Sequence, residues 1–71
     1  MKKDILTRFG ERVRQHRIEL SMSQEELAAR AGVHRTYIGM IERAEKNITL
    51  ENIDNVCKAL NLSIGDFFKD F

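Results

Sequence analysis

The apolar residues of this chain recur at the three- and four-residue spacing of an α-helix, and helix start and stop signals divide that pattern into short segments. A first predicted helix, ending near residues 20–22, carries an apolar face made of Leu6, Phe9, Val13 and Leu20. Ser23 and Glu26 then have the spacing of a capping box, in which each side chain can bond the backbone N–H of the other. Gly32 ends this second, short helix, because glycine adopts the left-handed conformation without steric cost.

Three further helices are predicted by the same signals. The third runs from about residue 35 to residue 43 or a little beyond, and Asn47 can end it, or the loop after it, in a left-handed conformation. Thr49 caps a fourth helix that Asn61 closes, and Ser63 caps a short fifth helix. The apolar stripe of the fourth helix consists of Leu50, Ile53, Val56, Cys57 and Leu60. No strand competes with these segments, so the sequence predicts an all-α fold of five helices.

Length and charge limit the class of protein. The 71 residues form one domain, and no apolar run is long enough to span a membrane. The net charge is only +1, but residues 1–46 hold ten basic against seven acidic residues (+3), and residues 47–71 hold two against four (−2). This asymmetry suits a protein that presents one face to phosphates, and it fits an ordinary mixed surface equally well. A single cysteine excludes an internal disulfide and fits a reducing cytoplasm, where we expect the protein to act.

Residue types that carry catalysis or bind metals are sparse. His16 and His34 lie far apart in the sequence, and the chain has a single cysteine, so zinc-ligand spacing is absent. No glycine-rich phosphate loop is present. Cys57 lies on an apolar helical stripe, as a small core residue does. We therefore expect no enzymatic activity, no catalytic residue, no metal and no cofactor.

The second and third helices, joined by residues 31–34, have the spacing of a helix-turn-helix. From about Phe9 to Phe68 the chain resembles the lambda-repressor-like (XRE) family of transcriptional regulators, and it does so at capping, turn and core positions: Ser23-Gln24-Glu25-Glu26-Leu27-Ala28, Ala31-Gly32-Val33, Tyr37-Ile38 and Ile41-Glu42-Arg43. Within that family it resembles the controller proteins of restriction–modification systems, at Arg35-Thr36-Tyr37-Ile38, Ile41-Glu42-Arg43 and Asn47-Ile48-Thr49-Leu50. The resemblance implies a small cytoplasmic homodimer that binds double-stranded DNA and regulates its own operon and an endonuclease gene.

Two positions depart from the common pattern of the family. Ser21 and Ala44 stand where glycine is frequent, the second at the end of the third helix. Without a glycine at position 44, we expect the third helix to run on toward Lys46.

In the lambda-repressor-like architecture the third helix lies in the major groove of DNA, and its N-terminal residues meet base edges. We expect base contacts from Arg35, whose guanidinium can bond guanine O6 and N7 together, and from Thr36. One turn further on, Gly39 would allow the backbone to approach DNA closely, and Met40 could contact methyl groups. The alternatives are a phosphate anchor or a solvated side chain at Arg35, a merely tolerated Gly39, and a solvent-facing Met40 without function.

Phosphate contacts are expected around the same helices. Gln24 begins the second helix, where free backbone N–H groups and the helix dipole favour an anion, and the resemblance implies the same role. Arg43 and Lys46 could clamp the opposite strand, and His34 could cap the third helix or contact a phosphate. The alternative for these side chains is a solvated surface. Weaker electrostatic candidates are Arg14, Lys2 and Lys3.

The resemblance implies two further roles. It places Arg17 and Glu42 as a partly covered ion pair that links the first helix to the third and fixes its orientation. It also suggests that Glu25 and Glu26 could touch RNA polymerase in an activator, although capping already accounts for Glu26.

A C-terminal helix of about two turns, residues 63–71, is predicted to form the dimer interface. Its apolar positions fall at i, i+3, i+4 and i+7, namely Ile64, Phe67, Phe68 and Phe71. A helix as short as this cannot bury all four side chains in one small domain. We therefore expect Phe67 to close the core, and we expect a second copy of the chain to contact Ile64, Phe68 and Phe71. Two-fold symmetry would then place the recognition helices about 34 Å apart on inverted-repeat half-sites. The alternative is a frayed, folded-back terminus.

A second class of function stays open, namely an antitoxin or adaptor whose main partner is another protein, because the same fold serves that role. The outward-facing set Arg35, Thr36, Arg43 and Lys46 favours DNA. An exposed apolar groove away from the fifth helix would favour a protein partner. The chain has no room for an effector domain, so we expect no small-molecule effector. We expect the concentration of the protein itself to regulate its activity.

Overall fold

A computed structural model describes residues 4–71 and contains helices and connecting loops, with no strand in that range. Its helices are α1 (Asp4–Glu19), α2 (Gln24–Ala31), α3 (Arg35–Glu42), α4 (Leu50–Ala59) and α5 (Ile64–Phe67). The predicted all-α fold of five helices is confirmed. Lys2 and Lys3, named as weak phosphate candidates, lie outside the described residues. No helix within residues 4–71 is both long enough and apolar enough to cross a membrane.

The predicted caps start three of the helices. Ser23, Thr49 and Ser63 have extended backbones, and each hydroxyl accepts a hydrogen bond of 3.0–3.1 Å from the backbone N–H three residues later. The carboxylate of Glu26 bonds Arg30, at 2.9 Å, rather than reaching back to the cap as a capping box would require. Sequence signals therefore locate the helix starts correctly, whereas the reciprocal bond is replaced by an i,i+4 ion pair.

A residue in the left-handed conformation follows each of the helices α1 to α4, and the one after α3 corrects a prediction. Gly32 has a φ of +74°, and Ser21, Ala44 and Asn61 have φ values of +58°, +60° and +62°. α3 consequently ends at Glu42 instead of continuing toward Lys46, and Ala44, not Asn47, takes the left-handed conformation. The chain accepts alanine there because the Ala44 side chain is buried, at 7% exposure, and the N–H of Glu45 bonds the Met40 carbonyl at 2.8 Å.

The core lies where all five helices meet. Its fully buried large side chains are Phe67, Leu27, Ile38, Val13, Val56 and Cys57. Burial raises the pKa of the Cys57 thiol to about 11, with a smaller contribution from the charge of Asp54. Two residues of the predicted apolar faces lie outside the core, since Leu20 is 43% and Leu50 76% exposed.

The C-terminal segment differs from the predicted two-turn helix. α5 has only four residues, and the chain then turns through Asp70, whose φ is +59°. Arg12 of α1 caps this turn by donating hydrogen bonds to the carbonyl oxygens of Phe67 (3.0 Å) and Lys69 (2.7 Å). Phe71 therefore leaves the stripe of Ile64 and folds back onto α1, where the Arg12 guanidinium lies 5.1 Å from its ring centroid.

Candidate nucleic-acid interface

The first turns of α2 and α3 open into one polar groove on the surface. The residues that line it are Gln24, Arg35, Thr36, Gly39 and Arg43, around a volume of about 290 Å³. We call this surface the α2–α3 groove. It brings together five of the eight residues that the sequence predicts to contact DNA, on the two helices of the helix-turn-helix.

Close packing and hydrogen bonds hold α3 against the rest of the fold. At Gly10 of α1, an added Cβ would lie 2.4 Å from the backbone oxygen of Ile41, so only glycine permits this approach. On the α4 side, the Asn52 side-chain amide donates to the Tyr37 hydroxyl at 3.2 Å. The orientation of α3 is thus fixed from both α1 and α4.

An ion pair at the end of α3 adds a third constraint. Arg17 Nε and Nη2 donate to the two carboxylate oxygens of Glu42 at 2.7 and 3.0 Å, and Arg17 Nη1 donates to the Met22 carbonyl at 2.8 Å. The side chains are 12% and 4% exposed. The hydrogen bond to Glu42 raises the pKa of Arg17, against the opposing effect of burial. Gln24 Nε2 donates to the same carboxylate at 3.1 Å, so the pair also fixes a predicted phosphate contact.

The two arginines of the groove each have an acidic neighbour. Arg35 Nη1 lies 3.2 Å from Oε2 of Glu25, and Arg43 Nε lies 3.0 Å from Oε2 of Glu45. All four side chains are half or more exposed, and the hydrogen bond to Glu45 raises the pKa of Arg43. Both guanidinium groups therefore remain accessible to a ligand. Thr36, next to Arg35, is also exposed.

The remaining predicted base contacts are less accessible. Gly39 is buried, and a Cβ at this position would lie 3.1 Å from Nη1 of Arg43, so that side chain covers it. Met40 is half-buried. Access of DNA to the backbone at Gly39 requires the Arg43 side chain to move.

His34 and Lys46 lie at opposite ends of α3. His34 is the N-cap, and its Nδ1 accepts a hydrogen bond of 3.1 Å from the backbone N–H of Thr36, which leaves Nε2 as the second polar atom of the ring. Lys46 is exposed in the loop that follows α3. Arg14 is exposed on α1, outside the residues that line the α2–α3 groove.

Several contacts at this site have no counterpart among the sequence predictions, among them Glu25 with Arg35 and Asn52 with Tyr37. For the first a signal was present, since opposite charges stand in the first turns of consecutive helices. The second joins residues of α3 and α4 whose relative position depends on tertiary packing, and no local pattern indicates it.

A second, apolar groove lies beside the C-terminal turn. It has a volume of about 270 Å³ and is lined by Ile5, Leu6, Phe9, Asn47, Ile48, Ile53 and Phe68. We call this surface the apolar groove. Leu50, on α4 one turn before Ile53, and Ile64, one turn before Phe68, are 76% and 38% exposed. Of the three predicted dimer residues, Phe68 lines this groove, whereas Ile64 and Phe71 do not.

Comparison with known proteins connects these surfaces to a family. A model of the helix-turn-helix family matches residues 13–67. Control protein C.SmaI from Serratia marcescens is 48% identical over 61 residues, which make up 86% of this chain and 73% of that protein. Control protein C.BamHI from Bacillus amyloliquefaciens is 46% identical, over 93% of this chain and 83% of that protein.

Solved structures show the same similarity in three dimensions. The restriction–modification controller protein C.AhdI from Aeromonas hydrophila superposes with a TM-score of 0.88 at 37% identity, over 92% of this chain and 98% of that one. The controller protein C.Esp1396I, solved as a tetramer in complex with its natural 35 base-pair operator, superposes with a TM-score of 0.86 at 34% identity, over 92% of this chain and 86% of that one.

Proposed function

Because this chain belongs to the helix-turn-helix family of DNA-binding transcriptional regulators, we propose that it is a restriction–modification controller protein that binds inverted-repeat operators as a homodimer. The observation that carries the proposal is the α2–α3 groove, in which Arg35 is exposed at the first residue of α3 beside Gln24 at the first residue of α2. As a regulator of genes it would act where the DNA is, in the cytoplasm, and its function needs no catalytic group.

We assign base recognition to four residues of α3, Arg35, Thr36, Gly39 and Met40. With this helix in the major groove, Arg35 reads guanine through paired hydrogen bonds and Thr36 meets the neighbouring base. Met40 makes an apolar contact one turn later. Gly39 allows the helix to approach the bases once Arg43 has moved from above it to the DNA backbone.

Phosphate contacts position α3 rather than specify sequence. Gln24 at the start of α2 and His34 at the start of α3 bind one strand, where helix N-termini favour an anion. Arg43 and Lys46 bind the other strand. Each phosphate contact adds to the salt dependence of binding, because it releases counterions from the DNA.

We assign the dimer surface to the apolar groove together with Leu50 and Ile64, two exposed apolar residues that lie one helical turn before the lining residues Ile53 and Phe68. The occupant we propose is a second copy of this chain, because one controller relative is solved as a tetramer on its operator and because a two-fold pair presents two copies of α3 to inverted half-sites. This assignment keeps Ile64 and Phe68 from the sequence prediction. It replaces Phe71, which packs on Arg8 and Arg12, by Leu50.

A partner of another class, as in an antitoxin or adaptor, is the second candidate function, and the observation that favours it is the same apolar groove. The groove contains Phe68, the residue immediately after α5, so it is continuous with the predicted dimer surface rather than remote from the fifth helix. We therefore favour the second copy as its occupant.

The test is a mobility shift with the DNA upstream of the protein's own gene, at two salt concentrations. Arg35→Ala should weaken binding to that DNA by about 1–3 kcal/mol, the typical value of one bidentate base contact. Arg30→Ala is the matched control, because Arg30 is a half-exposed arginine of α2 that pairs with Glu26 and lies outside the α2–α3 groove. If both variants lose the same affinity for the DNA, Arg35 contributes only general electrostatic attraction and reads no base. Absence of binding by a folded, dimeric protein would favour the protein-partner function.

A further inference from the structure

The N-terminus of α3 carries a charge that its own helix disfavours. Arg35 is the first residue of α3, and no acidic residue stands in that first turn. The dipole of a helix makes its N-terminus positive, so a cation there is repelled and an anion is attracted. The missing carboxylate is supplied by α2, since Oε2 of Glu25 lies 3.2 Å from Nη1 of Arg35.

The contact leaves most of the guanidinium available. Nη1 of Arg35 bonds Glu25, whereas no hydrogen bond to another residue of the described chain engages Nε or Nη2. A guanidinium has five N–H donors in a planar fork, and two of them suffice to bond guanine O6 and N7. Arg35 can therefore keep its bond to Glu25 while it reads a base.

We propose that Glu25 is a specificity-determining residue that positions Arg35 for base reading. This inference rests on the proposed function. Glu25 restricts an otherwise free arginine to one orientation, and the pair strengthens when DNA displaces the surrounding water, because charges attract more strongly at low dielectric. Glu25 also weakens binding to an incorrect sequence, since its carboxylate repels phosphate and receives no compensation from a correctly placed guanine.

The neighbouring residue provides a matched control. Glu26 is also an exposed acid in the first turn of α2, and its partner is Arg30 at 2.9 Å, an i,i+4 pair within one helix. Neither residue of that pair lines the α2–α3 groove. Replacing Glu26 or Glu25 by alanine removes the same charge from the same helix, and only Glu25→Ala frees Arg35.

The experiment begins with a selection from a randomised double-stranded oligonucleotide library, using the wild-type protein, Glu25→Ala, Glu25→Gln and Glu26→Ala. The affinity of each protein for the duplex that the wild type enriches, and for a scrambled duplex of equal composition, is then measured by fluorescence anisotropy. Circular dichroism melts of all four proteins report on folding.

Glu26→Ala should bind both duplexes more tightly by similar factors, because a negative charge near DNA has been removed, and it should enrich the wild-type sequence. Glu25→Ala should gain affinity for the scrambled duplex and lose affinity for the enriched duplex. The ratio of the affinity for the enriched duplex to that for the scrambled one should therefore fall about tenfold relative to Glu26→Ala. The guanine preference at one position of each half-site should weaken. Glu25→Gln, which keeps an acceptor oxygen, should recover part of the ratio.

Two results would overturn different claims. If the wild type enriches a sequence and Glu25→Ala keeps the affinity ratio of Glu26→Ala, then Glu25 acts by charge alone and the inference is wrong. If the folded wild type enriches no sequence, the proposed function fails, and the inference that rests on it fails with it.

Discussion

At Glu42, three hydrogen bonds converge on one carboxylate whose side chain is only 4% exposed. Replacing one partner of a buried pair leaves the other charge poorly solvated, which costs more than the pair itself contributes. We predict that Glu42→Ala lowers the free energy of unfolding by about 2–4 kcal/mol. Glu45→Ala should barely change it, because Glu45 is half-exposed beside Arg43. Matched thermal melts check this, and equal losses in the two variants would contradict the structural role of the Arg17–Glu42 pair.

The thiol of Cys57 lies in the core. Its side chain is fully buried, and its pKa is raised to about 11. A raised pKa means that the folded state disfavours the thiolate. The free energy of unfolding therefore keeps its full value below the pKa of the unfolded thiol, and it falls as the pH rises toward 11. Iodoacetamide at neutral pH should label Cys57 only in urea. Rapid labelling of the native protein would show that the core opens readily around α4.

The left-handed residues at the helix ends determine where α1 to α4 stop. Ser21 has a φ of +58° and an exposed side chain, so glycine at this position relieves backbone strain without loss of packing. We predict that Ser21→Gly raises the free energy of unfolding by roughly 0.5–1 kcal/mol, after the entropy cost of glycine in the unfolded chain. Gly32→Ala should lower it by roughly 1–2 kcal/mol for backbone reasons alone, since no atom lies within 4 Å of the added Cβ. Urea unfolding curves measure both changes, and a loss of stability in Ser21→Gly would contradict this account.

Helix starts were predictable from the sequence because a cap is a local device. Ser23, Thr49 and Ser63 each bond a backbone N–H three residues away, and this contact needs no tertiary structure. The end of α3 was not predictable in the same way. Ala44 adopts a conformation that costs alanine energy, and burial of its side chain compensates for that cost only in the folded molecule.

Helical spacing and the family resemblance together place Gln24, Arg35, Thr36 and Arg43 on one side of two short helices, and these four residues line the α2–α3 groove, whereas Met40, His34 and Lys46 of the same predicted set do not. The apolar surface was predicted less accurately. Arg12 of α1 lies more than fifty residues from the carbonyl groups that it caps, so no periodicity could show that the chain turns after Phe67. Because α5 ends at Phe67, the i+7 spacing of Phe71 from Ile64 does not place the two residues on one helical face.

The proposed function requires the α2–α3 groove and the dimer surface to act together. A single α3 contacts one half-site, and pairing two copies joins two such contacts in one complex, so that affinity depends on dimerisation as well as on the α2–α3 groove. A variant that separates the protomers should therefore weaken binding to the whole operator, even though every DNA-contacting residue is intact.

Leu50→Glu is the variant that tests this dependence. Leu50 is 76% exposed at the first residue of α4, where an acidic side chain also interacts favourably with the helix dipole, so the monomer fold should be preserved. We predict a monomer by light scattering, an unchanged helical circular dichroism spectrum, and binding to a two-half-site duplex that falls to the level of a single half-site. Ile18→Glu is the control, because Ile18 is 51% exposed on α1 and is not part of the proposed dimer surface. A Leu50→Glu protein that remains dimeric, or an Ile18→Glu protein that becomes monomeric, would show that the dimer interface lies outside the proposed dimer surface, and the two copies of α3 would then have no geometric reason to face inverted half-sites.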